Sequence, residues 1–243
     1  MPTRRSILAL LLLALVIAAP SASARSHDDV IFFRDVGSPG ANGAFVLSSD
    51  TPNAVVVFLH GWRDVGTGPY YDWLQSLAFS GAAVIFPRYQ SSSGGSPAKT
   101  LPALRAGIEA GLATLRKPSV PVIVAGYDYG ARLAFYYAAN ARRWGLPAPF
   151  AIDSIFPTTA RTGLPALGAI PGATRVLLQL EANERPAASD LVHKLAGRAA
   201  ARTHVRIVHA SGGHRAPLAD TAAARAAFWP SLDALLGQAV QTG

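Results

Sequence analysis

Short β-branched runs and longer amphipathic runs alternate along this chain from Val55 almost to its end. A run such as residues 121–125 is typical of a strand buried on both faces, and the segments between such runs have helical spacing. The alternation predicts an α/β fold, a mostly parallel sheet with helices on both faces. The expected strands are residues 54–59, 83–86, 121–125, 150–156, 176–180 and 205–208, and the expected helices are residues 70–79, 101–115, 131–144, 188–200 and 221–236.

Two further apolar runs, residues 30–33 and 44–47, lie before this alternating region. They flank the turn-forming sequence Gly37-Ser38-Pro39-Gly40, which favours a tight reversal of the chain. We therefore expect an antiparallel pair of strands at one edge of the sheet.

The N-terminal segment has the features of a targeting signal. Arg4 and Arg5 precede an unbroken apolar run over residues 7–19, and small residues follow up to Ala24. The run is shorter than the roughly 20 residues that a membrane span needs, and it fits a secretory signal. The alternative is an uncleaved membrane anchor. The paired arginines also resemble a twin-arginine signal. We expect residues 1–24 to be a signal peptide and residues 25–243 a single exported domain, periplasmic or secreted, with no stable membrane anchoring after cleavage.

Composition argues against several classes of function. The chain carries a net charge of +8 and no cysteine, so disulfides and thiolate chemistry are not available. Its arginines are scattered among alanines rather than clustered with aromatic residues, so we expect no nucleic-acid partner. The six histidines include no H-x-x-x-H pair, and His204 and His209 would point to opposite sides of a strand. We therefore expect no metal and no cofactor.

The sequence Gly126-Tyr127-Asp128-Tyr129-Gly130 falls between a predicted strand and a predicted helix. It has the frame of the G-x-S-x-G turn, in which two glycines allow a sharp bend that holds the central side chain at the carboxyl edge of the sheet. Here the central residue is Asp128 instead of serine.

Three more motifs follow predicted strands. His60-Gly61-Trp62 follows the central strand, a carboxylate-bearing loop follows residues 176–180, and Gly212-Gly213-His214 follows the last strand. With the turn at Asp128 they occur in the order of the α/β-hydrolase family, which the chain resembles over nearly all of residues 25–243. The segments 68–71 and 86–90 are further similar to small capless bacterial members of the dienelactone hydrolase type.

This resemblance implies a role for each motif. His214 would be the general base, and the backbone N–H groups of Trp62 and Tyr129 would form the oxyanion hole. His60 would be a structural histidine below the oxyanion loop. The acid that orients His214 would be Glu184, with Asp190 as the alternative and Glu181 ranked below both.

Aspartate at position 128 resembles the epoxide hydrolases and haloalkane dehalogenases of this family, in which a carboxylate attacks an alkyl carbon and histidine then activates water. Those relatives carry a large helical cap, whereas residues 157–175 leave no room for one here. We expect an exported hydrolase with an aspartate nucleophile and an open cleft for a small or extended substrate. Trp62, Tyr70, Tyr71 and Tyr129 are candidate donors to a leaving group. The alternative is a non-catalytic protein of the same fold that binds a small molecule or peptide.

Overall fold

The computed structural model describes residues 31–38, 40–91, 97–115, 119–158, 163–182, 189–196, 202–209 and 212–242. The predicted signal peptide and the predicted acid Glu184 lie outside these ranges. Within them, no helix combines the length and the apolar character that crossing a membrane requires.

In the part of the chain that the structure describes, eight strands form one sheet in the spatial order β1-β2-β4-β3-β5-β6-β7-β8. β2 is antiparallel to both of its neighbours, and the strands from β4 through β3 to β8 are parallel. This confirms the predicted mostly parallel sheet with an antiparallel edge. The strands are β1 Phe32–Gly37, β2 Gly43–Ser48, β3 Ala54–Leu59, β4 Ala82–Pro87, β5 Val122–Tyr127, β6 Ala151–Ile155, β7 Arg175–Glu181 and β8 Thr203–Val208.

Among the described residues, five α-helices cover the two faces of the sheet, as expected. Apolar residues of α2, α3 and α4 pack together on one face, and those of α1 and α5 pack on the other. The helices are α1 Tyr71–Phe79, α2 Pro97–Ala113, α3 Tyr129–Trp144, α4 Ser189–Ala196 and α5 Ala222–Thr242.

The central strand β3 shows why the sheet needs both layers. All six of its residues are buried, and alternate side chains enter opposite cores. Val55 and Val57 face α2 and α3, whereas Val56 and Phe58 face α1 and α5. The continuous apolar run therefore reflects burial on two faces of a period-two strand.

The largest differences from the sequence prediction concern element boundaries. β1 runs to Gly37 because its pairing with β2 continues through the polar residues Arg34 and Asp35, which apolar patterning could not include. α2 begins at Pro97, since proline is favoured in the first turn of a helix. α5 continues to Thr242 because Ala239 packs into the core beyond the predicted end.

The connection between β6 and β7 leaves the carboxyl edge of the sheet without a large cap domain. It spans residues 156–174, and in its described part the ordered element is a short 3₁₀ helix, Leu167–Ala169. The expectation of a capless architecture is therefore met.

Candidate active site

Asp128 occupies a sharp turn between β5 and α3. Its backbone has φ 53° and ψ −114°, a conformation that costs a non-glycine residue about 1–3 kcal/mol unless its surroundings hold it. Its N–H donates to the carbonyl of Ile155 at 3.0 Å. A Cβ at Gly126 would lie 2.4 Å from the carbonyl oxygen of Gly130, and one at Gly130 would lie 2.2 Å from that of Leu59. Both flanking glycines are therefore required by close backbone approach.

The two oxygens of the Asp128 carboxylate have different neighbours. Oδ2 accepts a hydrogen bond from the backbone N–H of Trp62 at 2.8 Å, and the backbone N–H of Tyr129 also bonds to the carboxylate. Oδ1 lies 3.3 Å from Nε2 of His214. The two N–H groups that were predicted to hold a substrate oxyanion thus hold the side chain of Asp128 itself.

The environment of Asp128 favours the ionised carboxylate. Burial acts to raise its pKa, but the contact with His214 and the N–H groups of Trp62 and Tyr129 outweigh burial, and the pKa of Asp128 is lowered. The N-terminus of α3, which begins at the next residue, adds a positive partial charge. Asp128 is therefore a preorganised anion at neutral pH.

His214 lies in a 3₁₀ helix, Gly213–Leu218, that follows β8. The two residues before it, Gly212 and Gly213, have φ of 109° and 59°, which explains the glycine pair in the motif. The hydroxyl of Tyr127 donates to the carbonyl of His214 at 2.8 Å, and the imidazole lies between the rings of Tyr127 and Phe156. About one third of the His214 side chain, 34%, is exposed, so water can reach it.

Tyr127 and Phe156 were not predicted as site residues. Tyr127 could have been suspected from its position directly before Asp128 in the turn motif. Phe156 has φ 50°, a left-handed conformation that no sequence pattern indicates for a phenylalanine.

Two tyrosines fix the loop that carries Trp62. The hydroxyl of Tyr70 accepts from the N–H of Gly61 at 2.8 Å and donates to Oδ2 of Asp64 at 3.2 Å. The hydroxyl of Tyr89 donates to the carbonyl of His60. These bonds hold the backbone on the N-terminal side of Trp62, so the direction of its N–H is set before any ligand binds.

His60 lies beneath the same loop. Its ring is fully buried, stacks on Tyr89 with a centroid distance of 3.9 Å, and donates from Nδ1 to the carbonyl of Gly61 at 2.8 Å. Burial lowers the pKa of His60 to about 4, against a smaller opposing effect of the Gly61 bond. His60 is thus neutral at physiological pH, in the buttressing position that the sequence suggested.

Three carboxylates are candidates for the acid that orients His214. Glu184 is outside the described residues, and Asp190 falls in α4. Glu181, the last residue of β7, is buried, and a Cβ at Gly213 would lie 4.0 Å from its Oε1. Glu181, ranked below the other two from the sequence, therefore lies next to the residue that precedes His214.

In the described part of the chain, no group of three or more histidine or acidic side chains is placed to hold a metal ion.

Known structures with this architecture were found by structural comparison. Neither the protein-family models nor the curated proteins include a match to the sequence. A carboxyl esterase from the fungus Tuber melanosporum matches with TM-score 0.63 and 17% identity over 90% of this chain and 89% of the other. Esterase B from Lactobacillus rhamnosis matches with TM-score 0.61 and 12% identity over 91% and 90%.

A dienelactone hydrolase-like promiscuous phosphotriesterase from metagenomic libraries also matches, with TM-score 0.57 and 16% identity over 86% of this chain and 98% of the other. The chain therefore has the α/β-hydrolase fold, in the form shared with dienelactone hydrolase-like proteins and esterases. At this level of identity the likeness concerns the fold alone.

Proposed function

We propose that this protein is a hydrolase in which the carboxylate of Asp128 attacks an electrophilic alkyl carbon. The observation that carries the proposal is the unequal environment of the two carboxylate oxygens. Oδ2 is held by the N–H of Trp62 at 2.8 Å, and Oδ1 lies 3.3 Å from Nε2 of His214. A nucleophile and a base are thus in contact, and the oxyanion donors are already aligned on the nucleophile.

In the first step Oδ1 forms a bond to the substrate carbon. The bond from that carbon to its leaving atom, an epoxide oxygen or a halide, breaks, and the electron pair departs with the leaving atom. Asp128 becomes an ester whose carbonyl oxygen is Oδ2. No proton has to be removed from the nucleophile, because its lowered pKa keeps it ionised.

In the second step Nε2 of His214 takes a proton from water, and the oxygen of that water bonds to Cγ of Asp128. The negative charge that develops on Oδ2 is stabilised by the N–H of Trp62, which already bonds to this atom, and by the N–H of Tyr129, which bonds to the same carboxylate. Collapse of the intermediate breaks the bond from Cγ to the alcohol oxygen, which takes the proton from His214. Asp128 is left as a carboxylic acid, and loss of the second water proton to solvent restores the carboxylate.

Acyl transfer to substrate esters fits this site poorly. An ester carbonyl would have to displace Oδ2 from the N–H of Trp62, and its developing negative charge would lie beside an ionised carboxylate. Like charges a few ångströms apart in a partly buried site repel by several kcal/mol. The replacement of serine by Asp128 therefore favours attack on alkyl carbon over attack on carbonyl carbon.

A non-catalytic binding protein is the second candidate, and the positions of the tyrosines favour it. The hydroxyl of Tyr70 is engaged by Gly61 and Asp64, and the side chain of Tyr129 is fully buried. These two residues are thus poor donors to a leaving group, and the described part of the connection over residues 156–174 supplies no cap with substitutes. Of the predicted donors, partly exposed Trp62 and exposed Tyr71 remain.

Isotope labelling separates the two candidates. The protein is mixed in excess with each member of a panel of epoxides and haloalkanes in water enriched in oxygen-18. The proposal predicts incorporation of oxygen-18 into the peptide that contains Asp128, because water attacks Cγ and not the substrate carbon. His214→Gln should block the incorporation. Product without label in the peptide contradicts the aspartate nucleophile, and no product from any substrate supports the binding protein.

Replacement of Asp128 by serine gives a complementary test. The shorter side chain would leave the N–H groups of Trp62 and Tyr129 free for a substrate oxyanion, with His214 still in place. Asp128→Ser should therefore gain hydrolysis of a p-nitrophenyl ester, whereas Asp128→Asn should lose all turnover. A folded serine variant without esterase activity would argue against a working oxyanion hole.

We further propose that a carboxylate orients His214 so that Nδ1 carries the proton and Nε2 faces the substrate. Glu184 was favoured from the sequence, with Asp190 as the alternative, and the burial of Glu181 beside Gly213 supports Glu181 instead. Separate amide variants, Glu181→Gln, Glu184→Gln and Asp190→Asn, identify the acid. The correct one should lose most of kcat, and the other two should change it less than about threefold.

We also propose that residues 1–24 direct export and are removed. The charged, apolar and small-residue parts of the segment support this proposal. Expression of the full chain in a bacterial host should give periplasmic or secreted protein whose N-terminus, read by mass spectrometry, lies near Arg25. Recovery of the intact 243-residue chain from the membrane fraction would instead indicate an uncleaved anchor.

A further inference from the structure

A groove lies away from Asp128, between α5 and the first residues of β7 and β8. This groove has a volume of about 600 Å³ and includes Arg175, Arg202, His204 and Arg206 along one side and Leu235 along the other. Asp128 follows the carboxyl end of β5, and parallel strands end at one edge of a sheet. The groove is therefore separate from the candidate active site.

The basic residues of the groove are brought together by strand register. β7 and β8 are parallel with Val176 opposite Thr203, and Arg175 and Arg202 directly precede these two residues, so the two arginines are neighbours at the same end of the strand pair. Arg202, His204 and Arg206 alternate along the chain, which places their side chains on one face. Like charges in neighbouring positions of a sheet destabilise it unless something neutralises them.

The partners of the three arginines are neutral. Arg175 donates to Oε1 of Gln238 and lies over the ring of Phe150, and Arg202 donates to the carbonyl of Ala173 at 2.8 Å. These acceptors fix the guanidinium groups in place without cancelling their charge.

Arg206 is held in the same way, by Oε1 of Gln179 at 3.3 Å. Among the described residues, no carboxylate forms an ion pair with any of the three arginines. The charge of Arg206 acts to lower the pKa of one acidic group, Asp153. That group is fully buried behind Gln179 and does not line the groove.

The rest of the groove is mostly apolar. Leu177, Ala234 and the buried Leu235 line it between the arginines and α5, and Ser231 and Gln238 are the polar members of this side. The volume lies within the range of small-molecule sites, which are mostly apolar with a few placed polar groups. An occupant that matches this lining has an apolar body and one strongly anionic end.

We propose that the groove binds a phosphate monoester with a compact apolar body. The phosphate contacts Arg175 and Arg202, whose planar guanidinium groups match its oxygens in pairs. Arg206 adds a third positive charge, which favours a dianionic phosphate over a single carboxylate. The body lies over Leu177 and Leu235. The inference does not depend on the chemistry at Asp128.

The test uses the fluorescent probe 2-naphthyl phosphate and follows its binding by fluorescence and calorimetry. We expect saturable binding of one molecule, with 2-naphthol and inorganic phosphate each binding at least tenfold more weakly. Arg175→Gln combined with Arg202→Gln should weaken probe binding at least tenfold. Arg142→Gln combined with Arg143→Gln removes the same charge from exposed positions at the end of α3 and should leave binding unchanged.

Thermal unfolding checks that the groove variant is folded. Without probe it should unfold at the same temperature as the unaltered protein or higher, because repulsion between the neighbouring arginines is relieved. If that variant fails to fold, Arg206→Gln replaces it and should also weaken binding. Equal binding of 2-naphthol, equal loss in the α3 control, unchanged binding in the groove variants, or no binding at all would each overturn the proposal.

Discussion

Replacing Asp153 by asparagine should remove a loss of stability that the protein otherwise suffers as pH rises. Asp153 lies on β6 with no exposed surface, and its Oδ1 accepts from the side-chain amide of Gln179 at 2.9 Å. Its Oδ2 is buried without a hydrogen-bond partner. Burial raises the pKa of Asp153 from 3.8 to about 7, and the bond from Gln179 and the charge of Arg206 offset only part of that effect.

The direction in which stability changes with pH follows from the number of protons bound in the native and unfolded states. Between the unfolded pKa of 3.8 and the folded pKa of about 7, the native state binds more protons than the unfolded state, so stability falls as pH rises through this window. The rise of about three units in the pKa of Asp153 corresponds to about 4 kcal/mol of stability, which is fully lost above pH 7. Asparagine keeps the acceptor for Gln179 and carries no charge at any pH.

His60 produces a slope of the opposite sign. Because its pKa is lowered to about 4, the unfolded state binds more protons between pH 4 and the ordinary histidine value of 6.5, and stability rises with pH there. This contribution is present in both proteins, so it cancels when the two are compared. The difference between variant and unaltered protein therefore isolates Asp153.

The assay is urea unfolding at half-unit steps from pH 4 to pH 8. The free energy of unfolding of Asp153→Asn, minus that of the unaltered protein, should increase by about 4 kcal/mol across this range. A constant offset of about 1–3 kcal/mol in favour of the unaltered protein is expected from the unpartnered amide nitrogen. A difference that stays flat with pH would refute the buried, proton-binding carboxyl group.

Two other substitutions test the geometry of the site. Gly130→Ala should lower the free energy of unfolding by about 2–4 kcal/mol, because its Cβ would lie 2.2 Å from a backbone oxygen. The control Gly168→Ala, whose Cβ would meet no atom within 4 Å, should be nearly neutral in thermal unfolding. Tyr70→Phe leaves the N–H of Gly61 without its acceptor and should cost about 1–3 kcal/mol. Turnover should fall with it, since the loop that carries Trp62 loosens. Tyr71→Phe at an exposed position should leave the free energy of unfolding unchanged, and equal losses of stability in the two tyrosine variants would contradict the role of Tyr70.

The architecture could be predicted from the sequence because local patterns were consistent with each other. Residues 54–59 are apolar and β-branched throughout, and they form β3 with the predicted bounds. The glycines around Asp128 marked a turn that only glycine permits, so strand, turn and helix were identified together. The positions of Trp62 and His214 followed from their places after successive strands, since parallel strands end at one edge.

The details of the site depend on side-chain placement, which sequence order does not determine. Nothing in the motif indicated that Oδ2 of Asp128 would accept from the N–H of Trp62 and so fill the position of a substrate oxygen. The burial of Glu181 beside Gly213 depends on where β7 ends relative to the last loop, and the pattern of the family that the chain resembles favoured Glu184. The neighbouring Arg175 and Arg202 are far apart in the sequence and meet only through the register of β7 and β8.

The most direct test of the central claim is the mass of the intact protein after reaction with an alkyl electrophile. In His214→Gln the first step can proceed, but the ester cannot be hydrolysed efficiently, so it should accumulate. Incubation with the epoxide and haloalkane panel should give one adduct per chain, mapped by peptide fragmentation to Asp128 and absent from the double variant that also carries Asp128→Asn. An unmodified mass with every substrate, or an adduct that persists when Asp128 is replaced, would contradict the proposal that Asp128 is the nucleophile.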